Sequence, residues 1–171
     1  MILASERLYI RKLTLNDAPF FFELVNDPDW IRFIGDRNIQ TIGDAKDYLQ
    51  NRIFKSYEDF GFGFYAAVLK STHEVVGITG FVKRDELNDG DVGFAFLPKG
   101  RGKGYAFEST QALMNYGTNT FKFQKILAIA NNDNERSHNL LKKLGFEFKK
   151  YVKLYDEEDE ISLFSLNAAM S

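Results

Sequence analysis

Gly100, Gly102 and Gly104 occupy alternate positions between Pro98 and Ala106, in the order Pro-Lys-Gly-Arg-Gly-Lys-Gly-Tyr-Ala. Glycine tolerates positive φ and carries no side chain that would hold a ligand away from the backbone. The residues that follow have a helical pattern. The first N–H groups of a helix lack partners inside it, and its dipole turns a positive end toward the preceding loop. Arg101 and Lys103 add formal charge at the same place. A diphosphate is the ligand this chemistry suits.

Two other kinds of phosphate loop fit the spacing poorly, and a dinucleotide-binding domain is kept as a competing reading on the glycine loop alone. A nucleoside-triphosphate loop needs Gly-x-x-x-x-Gly-Lys-Ser/Thr, a string the chain lacks. A dinucleotide loop needs Gly-x-Gly-x-x-Gly in a first βαβ unit and an acid about 20 residues on. Here the glycines follow several strands, and the next strand ends at Asn131.

The elements that must position this loop alternate in type along the whole chain, as in one α/β layered domain spanning 1–171. Residues 7–13 alternate polar and apolar, as a half-buried strand does. Thr14 to Asp17 and Thr41 to Asp44 are capping-box patterns. Each precedes helical apolar spacing: Phe20, Phe21 and Leu24, then Ala45 to Tyr57, with the second helix ending near Glu58. The intervening 27–40 is expected as a loop. Runs at 62–69, 75–82 and 91–97, separated by turn residues, predict an antiparallel meander. A helix over 102–121, a doubly covered strand at 126–130 and a helix from 135 to the stop at Gly145 follow. Two last strands, 146–155 and 160–166, flank an acidic turn.

Bulk composition narrows the chemistry. A net charge of −2, with scattered Lys and Arg, argues against a nucleic-acid track. No cysteine is present, so disulfides, thiolate nucleophiles and cysteine metal sites are excluded. His73 and His138 share no ligand spacing, so no metal is expected. The N-terminus lacks a secretory pattern and no run approaches a membrane span, which implies a cytoplasmic protein without membrane partners.

Arg101-Gly-Lys-Gly-Tyr-Ala106 resembles the Arg/Gln-x-x-Gly-x-Gly/Ala coenzyme A signature of the GNAT acetyltransferases. Asn134 to Ser137, followed by Leu140 to Phe146, resembles that family's second signature. The opening from Glu6 to Leu13, with Asn26, Asp27 and Pro28, is similar to the branch that acetylates ribosomal-protein N-termini. The resemblance covers nearly the whole chain, in order.

The resemblance implies an α+β GNAT fold: a mixed, mostly antiparallel seven-stranded sheet, fourth and fifth strands splayed, with about four helices on both faces. It implies an acetyl-coenzyme A-dependent N-acetyltransferase acting on a primary amine: a peptide N-terminus, polyamine or small amine. In that family the backbone of Phe94, Ala95, Phe96 and Leu97 pairs with pantetheine. The N–H groups of Arg101, Gly102, Lys103, Gly104, Tyr105 and Ala106 hold the pyrophosphate, and an N–H near Ala95 or Phe96 faces the thioester carbonyl. Asn134 lines the cofactor pocket, its other reading being a helix N-cap, and Ser137 either does the same or faces solvent. Asp91 stands where some members place a catalytic glutamate, and its other reading is a turn residue. Asp85 and Glu86 are second-rank candidates for the base. The leaving-thiol tyrosine of many relatives is replaced by Leu141, so Ser137 is the candidate acid. Trp30, Phe33, Arg37 and Phe64, with Tyr57 and Phe62, are candidates to line the acceptor pocket. A homodimer through edge strands is a further implication, and a non-catalytic acyl-coenzyme A module is the alternative function.

Overall fold

The apolar run Val75–Val82 cannot be solvated on either face, and it becomes a central strand of one sheet. The computed structural model describes residues 1–84, 89–154 and 159–168. Their eight strands, in chain order, are β1 (Leu3–Ala4), β2 (Leu8–Lys12), β3 (Phe64–Leu69), β4 (Val75–Val82), β5 (Gly90–Phe96), β6 (Lys125–Ala130), β7 (Glu147–Val152) and β8 (Ile161–Asn167). They lie in the order β1-β2-β3-β4-β5-β6-β8-β7. The meander β3-β4-β5 is antiparallel as expected. The strand beyond the expected seven is β1, two residues held at the edge by Ile2 N–H to Ile10 O at 2.7 Å. A strand that short has no hydrophobic period to reveal it.

The helices are α1 (Ala18–Val25), α2 (Pro28–Phe33), α3 (Ile42–Tyr48), α4 (Lys55–Phe60), α5 (Tyr105–Phe121) and α6 (Glu135–Lys143). A π-helical stretch, Leu49–Phe54, joins α3 to α4, so these three form the single rod expected from Thr41 onward. Both capping boxes form: Thr14 N–H reaches Asp17 at 2.8 Å, and Asp44 N–H reaches the Thr41 hydroxyl at 3.0 Å. The segment 27–40 is not all loop. Asp27 caps α2 by accepting the Asp29 N–H, and Pro28 occupies its first turn, where a missing N–H costs nothing.

The sheet has a core on each face. On one, α5 and α6 cover an aromatic cluster in which Phe62, Phe81, Phe121 and Phe123 meet edge to face at 5.0–6.4 Å. On the other, α1 to α4 cover Ile78, Leu97 and Ala66 with Phe21, Leu24 and Leu49. No helix among the described residues is long and apolar enough to cross a membrane.

Candidate active site

The site begins with a break in the sheet. Strands β5 and β6 are its parallel pair, and they match only at Gly90 with Ile126 and Asp91 with Leu127. Beyond Asp91 they diverge, which leaves backbone on the facing edges without a ladder partner. Which groups face the gap follows from register. Leu97 N–H donates to Val76 O at 3.0 Å, so with a period of two Gly93, Ala95 and Leu97 turn their N–H and C=O toward β4. Phe94 and Phe96 turn theirs into the gap. Of the two N–H groups expected near a thioester carbonyl, that of Phe96 faces the gap and that of Ala95 faces β4. The Phe96 carbonyl already accepts Arg101 Nε at 2.9 Å, so its N–H is the group left over.

At the open end of the gap stands the glycine loop. Gly102 and Gly104 have φ of +74° and +81°, the left-handed region where a Cβ is strained. That is why α5 starts at Tyr105 and not at Gly102. Gly100 differs: it is buried against Val76 and Phe96, where a Cβ would lie 3.0 Å from Val76, so it serves packing and not turn geometry. Arg101 N–H donates to Pro98 O, and Glu108 N–H to Gly104 O. Between them the N–H groups of residues 102–107 have no backbone acceptor among the described residues. Five of the six backbone donors expected to hold a pyrophosphate are thus present and open; Arg101 N–H is engaged.

The side chains of the loop act otherwise than expected. Arg101 does not offer its guanidinium to the mouth: it pairs with Asp27 at 2.6 Å and with Asp29 at 3.0 Å. Lys103 Nζ folds back to Lys99 O at 3.0 Å. Arg136, from the first turn of α6, also pairs with Asp29. The start of α2 is therefore tied to the loop after β5 and to the helix after β6, spanning the two lips of the gap. Local pattern gave no sign of this network, although Asp27-Pro28 was a helix-start signal available in the sequence.

Asn134 caps α6, its Oδ1 accepting Ser137 N–H at 3.3 Å. Ser137 is partly exposed and Leu141 is buried in the core. Asp91 is 1% exposed and pairs with Arg84, while its Oδ1 has no partner among the described residues. Burial pushes its carboxyl up to about 6, against the pull of the Arg84 charge. Its side chain shares a face with Ala95 and Leu97, the face covered by α1 to α4. Asp85 and Glu86 lie outside the described residues.

The acceptor candidates divide. Trp30 is buried against Phe21, and its Nε1–H has no partner among the described residues. Phe33 is half-buried under the Arg32 guanidinium, and Arg37 is exposed. Phe64 lies over Gly93 on the α1–α4 face. Tyr57 is structural: its hydroxyl donates to Phe64 O and accepts Leu13 N–H at 3.2 Å, and burial raises its pKa. Phe62 belongs to the aromatic cluster on the opposite face of the sheet from Trp30 and Phe64, so the structure does not bring it together with them.

A mixed sheet that opens at its parallel pair, with a glycine-rich loop and a helix N-terminus at the open end, is the architecture of an acyl-transferase domain. The model of the acetyltransferase (GNAT) domain matches residues 7–147, and the chain belongs to that family. The protein is similar to the uncharacterized N-acetyltransferase p20 of Bacillus licheniformis, with 28% identity over 96% of this chain and 94% of that protein. It is 33% identical to a ribosomal protein uS5-alanine N-acetyltransferase of Escherichia coli (strain K12), over 61% of this chain and 54% of that protein. Its fold matches that of RimL, a ribosomal L7/L12 alpha-N-protein acetyltransferase solved in complex with coenzyme A, with a TM-score of 0.82, 16% identity and 97% of both chains covered.

Proposed function

We propose that the protein transfers an acetyl group from acetyl-coenzyme A to a primary amine by direct attack within a ternary complex. The observation that carries this is the run of open N–H groups at 102–107 beside backbone left unpaired by the divergence of β5 and β6. The thiol ester supplies an activated acetyl group. The chain's own part is to hold its carrier, exclude water and accept a proton. Gly102 to Ala106 would bind the diphosphate through backbone N–H groups and Phe94 and Phe96 would pair with the pantetheine arm. The Phe96 N–H would stabilise negative charge on the acetyl oxygen, a contribution often worth about 3 kcal/mol.

The attacking amine must first be neutral. An α-amino group titrates at about 8 and a lysine-like amine at about 10.4, so the former is easier to deprotonate at neutral pH. A peptide N-terminus or small α-amine is therefore the favoured acceptor, ahead of a polyamine. Asp91, with its carboxyl near 6, is the assigned base, acting through a water because it sits at the closed end of the gap. Buried Leu141 offers no acid, so the thiolate leaves unaided or takes a proton that Ser137 relays from water.

Leu141 also favours a second reading, an acyl-coenzyme A-binding module without turnover. One experiment separates the two: calorimetry with coenzyme A, followed by thiol release from acetyl-coenzyme A across a broad panel of amines. Binding with turnover supports the enzyme, binding without turnover supports the module, and no binding at millimolar coenzyme A overturns both.

A further inference from the structure

Arg7 lies on the N-terminal side of β2, far in sequence from the glycine loop, yet its side chain is spent on that loop. Nη1 donates to Lys103 O at 2.9 Å and Nε to Glu108 Oε2 at 2.7 Å. The guanidinium also stands 4.6 Å from the centre of the Tyr105 ring. A Cβ on Gly104 would come within 3.3 Å of Nη2. Glu108, in the first turn of α5, accepts three further things at once: the Arg7 main-chain N–H and the Ser5 hydroxyl, each at 2.7 Å, and the positive end of its own helix. Burial opposes its ionisation, but these hydrogen bonds prevail and hold its carboxyl below the usual range.

We infer that Arg7 is a positioning residue for the diphosphate of the coenzyme. This rests on the reading of the loop given above. In a planar trans peptide the C=O and N–H point in opposite directions. Pinning the Lys103 carbonyl to Arg7 therefore turns the Gly104 N–H to the side away from Arg7. Arg101 does the matching task at the other end of the loop, holding Phe96 O. Arginine thus engages a carbonyl at each end of the stretch, and carbonyl oxygens that would repel an anion are occupied by cations. Arg7 also neutralises Glu108, whose carboxylate sits one turn from the open N–H groups. Without Arg7 that charge would oppose a phosphate. The inference makes a specific demand: Arg7 matters only to the part of the coenzyme that carries phosphate.

The test uses coenzyme A and pantetheine, which lacks the diphosphate. Coenzyme A is titrated by calorimetry and pantetheine by ligand-observed NMR, into the wild-type protein, Arg7→Met, Arg7→Lys and Arg7→Met/Glu108→Gln. Arg7→Met should weaken coenzyme A about tenfold, as loss of a charged hydrogen bond does, and leave pantetheine within about twofold. Removing the Glu108 charge in the double variant should recover part of that loss. Arg7→Lys keeps the charge without the fork, so it should fall between wild type and Arg7→Met, and it carries the comparison if Arg7→Met does not fold. Equal weakening of both ligands, or unchanged coenzyme A binding in a folded variant, overturns the inference. A wild-type protein that ignored coenzyme A would instead sink the reading of the loop itself.

Discussion

Arg101 Nη2 donates to Asp27 Oδ2 at 2.6 Å, joining the glycine loop to the first turn of α2. Asp27 is mostly buried and already caps its helix, so one carboxylate performs two tasks. Replacing it removes both a cap and the partner of a half-buried cation.

Asp27→Ala should therefore destabilise the fold by about 2–4 kcal/mol, combining a lost cap with a broken ion pair. Denaturant unfolding would show a lower midpoint at an unchanged slope. Coenzyme A affinity, measured on the folded variant, should change little. A large loss of affinity with unchanged stability would mean that the Asp27–Arg101 pair serves the ligand and not the fold.

Asp91 predicts two opposite pH effects. As the base it works when ionised, so kcat/KM should rise with pH, be half-maximal near 6, and lose that limb in Asp91→Asn. A second limb at about 8, from an α-amino acceptor itself, should survive in the variant. Stability runs the other way. The folded carboxyl lies near 6, above its ordinary 3.8, so the fold favours the protonated form. That contribution is complete below about pH 4 and is lost as pH rises through 6, amounting to roughly 3 kcal/mol. The wild type should lose stability relative to Asp91→Asn between pH 4 and pH 7. Parallel curves would show that the carboxyl titrates normally.

What the sequence made legible was local. Gly102, Gly104, Gly145 and both capping boxes act within a few residues, and each lies where the pattern put it. The side-chain partners of the loop were not legible. Arg101 meets Asp27 across 74 residues and Arg7 meets Lys103 across 96, and no periodicity marks a contact of that range. A charge beside glycines looked like a phosphate ligand, because only the fold reveals that an acid from α2 takes it. The helix α2 is hidden for a different reason: Pro28 and Gly35 read as loop residues, although proline in a first turn begins a helix.

Gly100 and Gly102 should part company when each is changed to alanine. At Gly102 a Cβ would meet nothing within 4 Å, so the cost to folding is the strain of positive φ, about 1–2 kcal/mol. Its main effect should fall on coenzyme A, since the methyl group enters open space beside the unpaired N–H groups and the strained φ disturbs their aim. At Gly100 the Cβ would press on Val76 and Phe96, so stability should fall and affinity follow only indirectly. Thermal melts beside calorimetric titrations would separate the two. Identical profiles for both variants would refute the division of roles.

Trp30 offers the sharpest question about the acceptor. Its ring is buried, yet its indole N–H has no partner among the described residues, a state that costs about 1–3 kcal/mol. Trp30→Phe removes that orphaned donor and leaves a small cavity, and the two effects should nearly cancel in stability. Activity is where the change should appear, if the indole lines the acceptor pocket as the resemblance implies. An amino-acid amide carries a carbonyl that can accept the N–H, whereas a protonated polyamine has no acceptor atom to offer. The kcat/KM for the amide should drop about tenfold in Trp30→Phe while that for the polyamine stays within twofold. Uniform loss across both acceptors would assign Trp30 to packing alone.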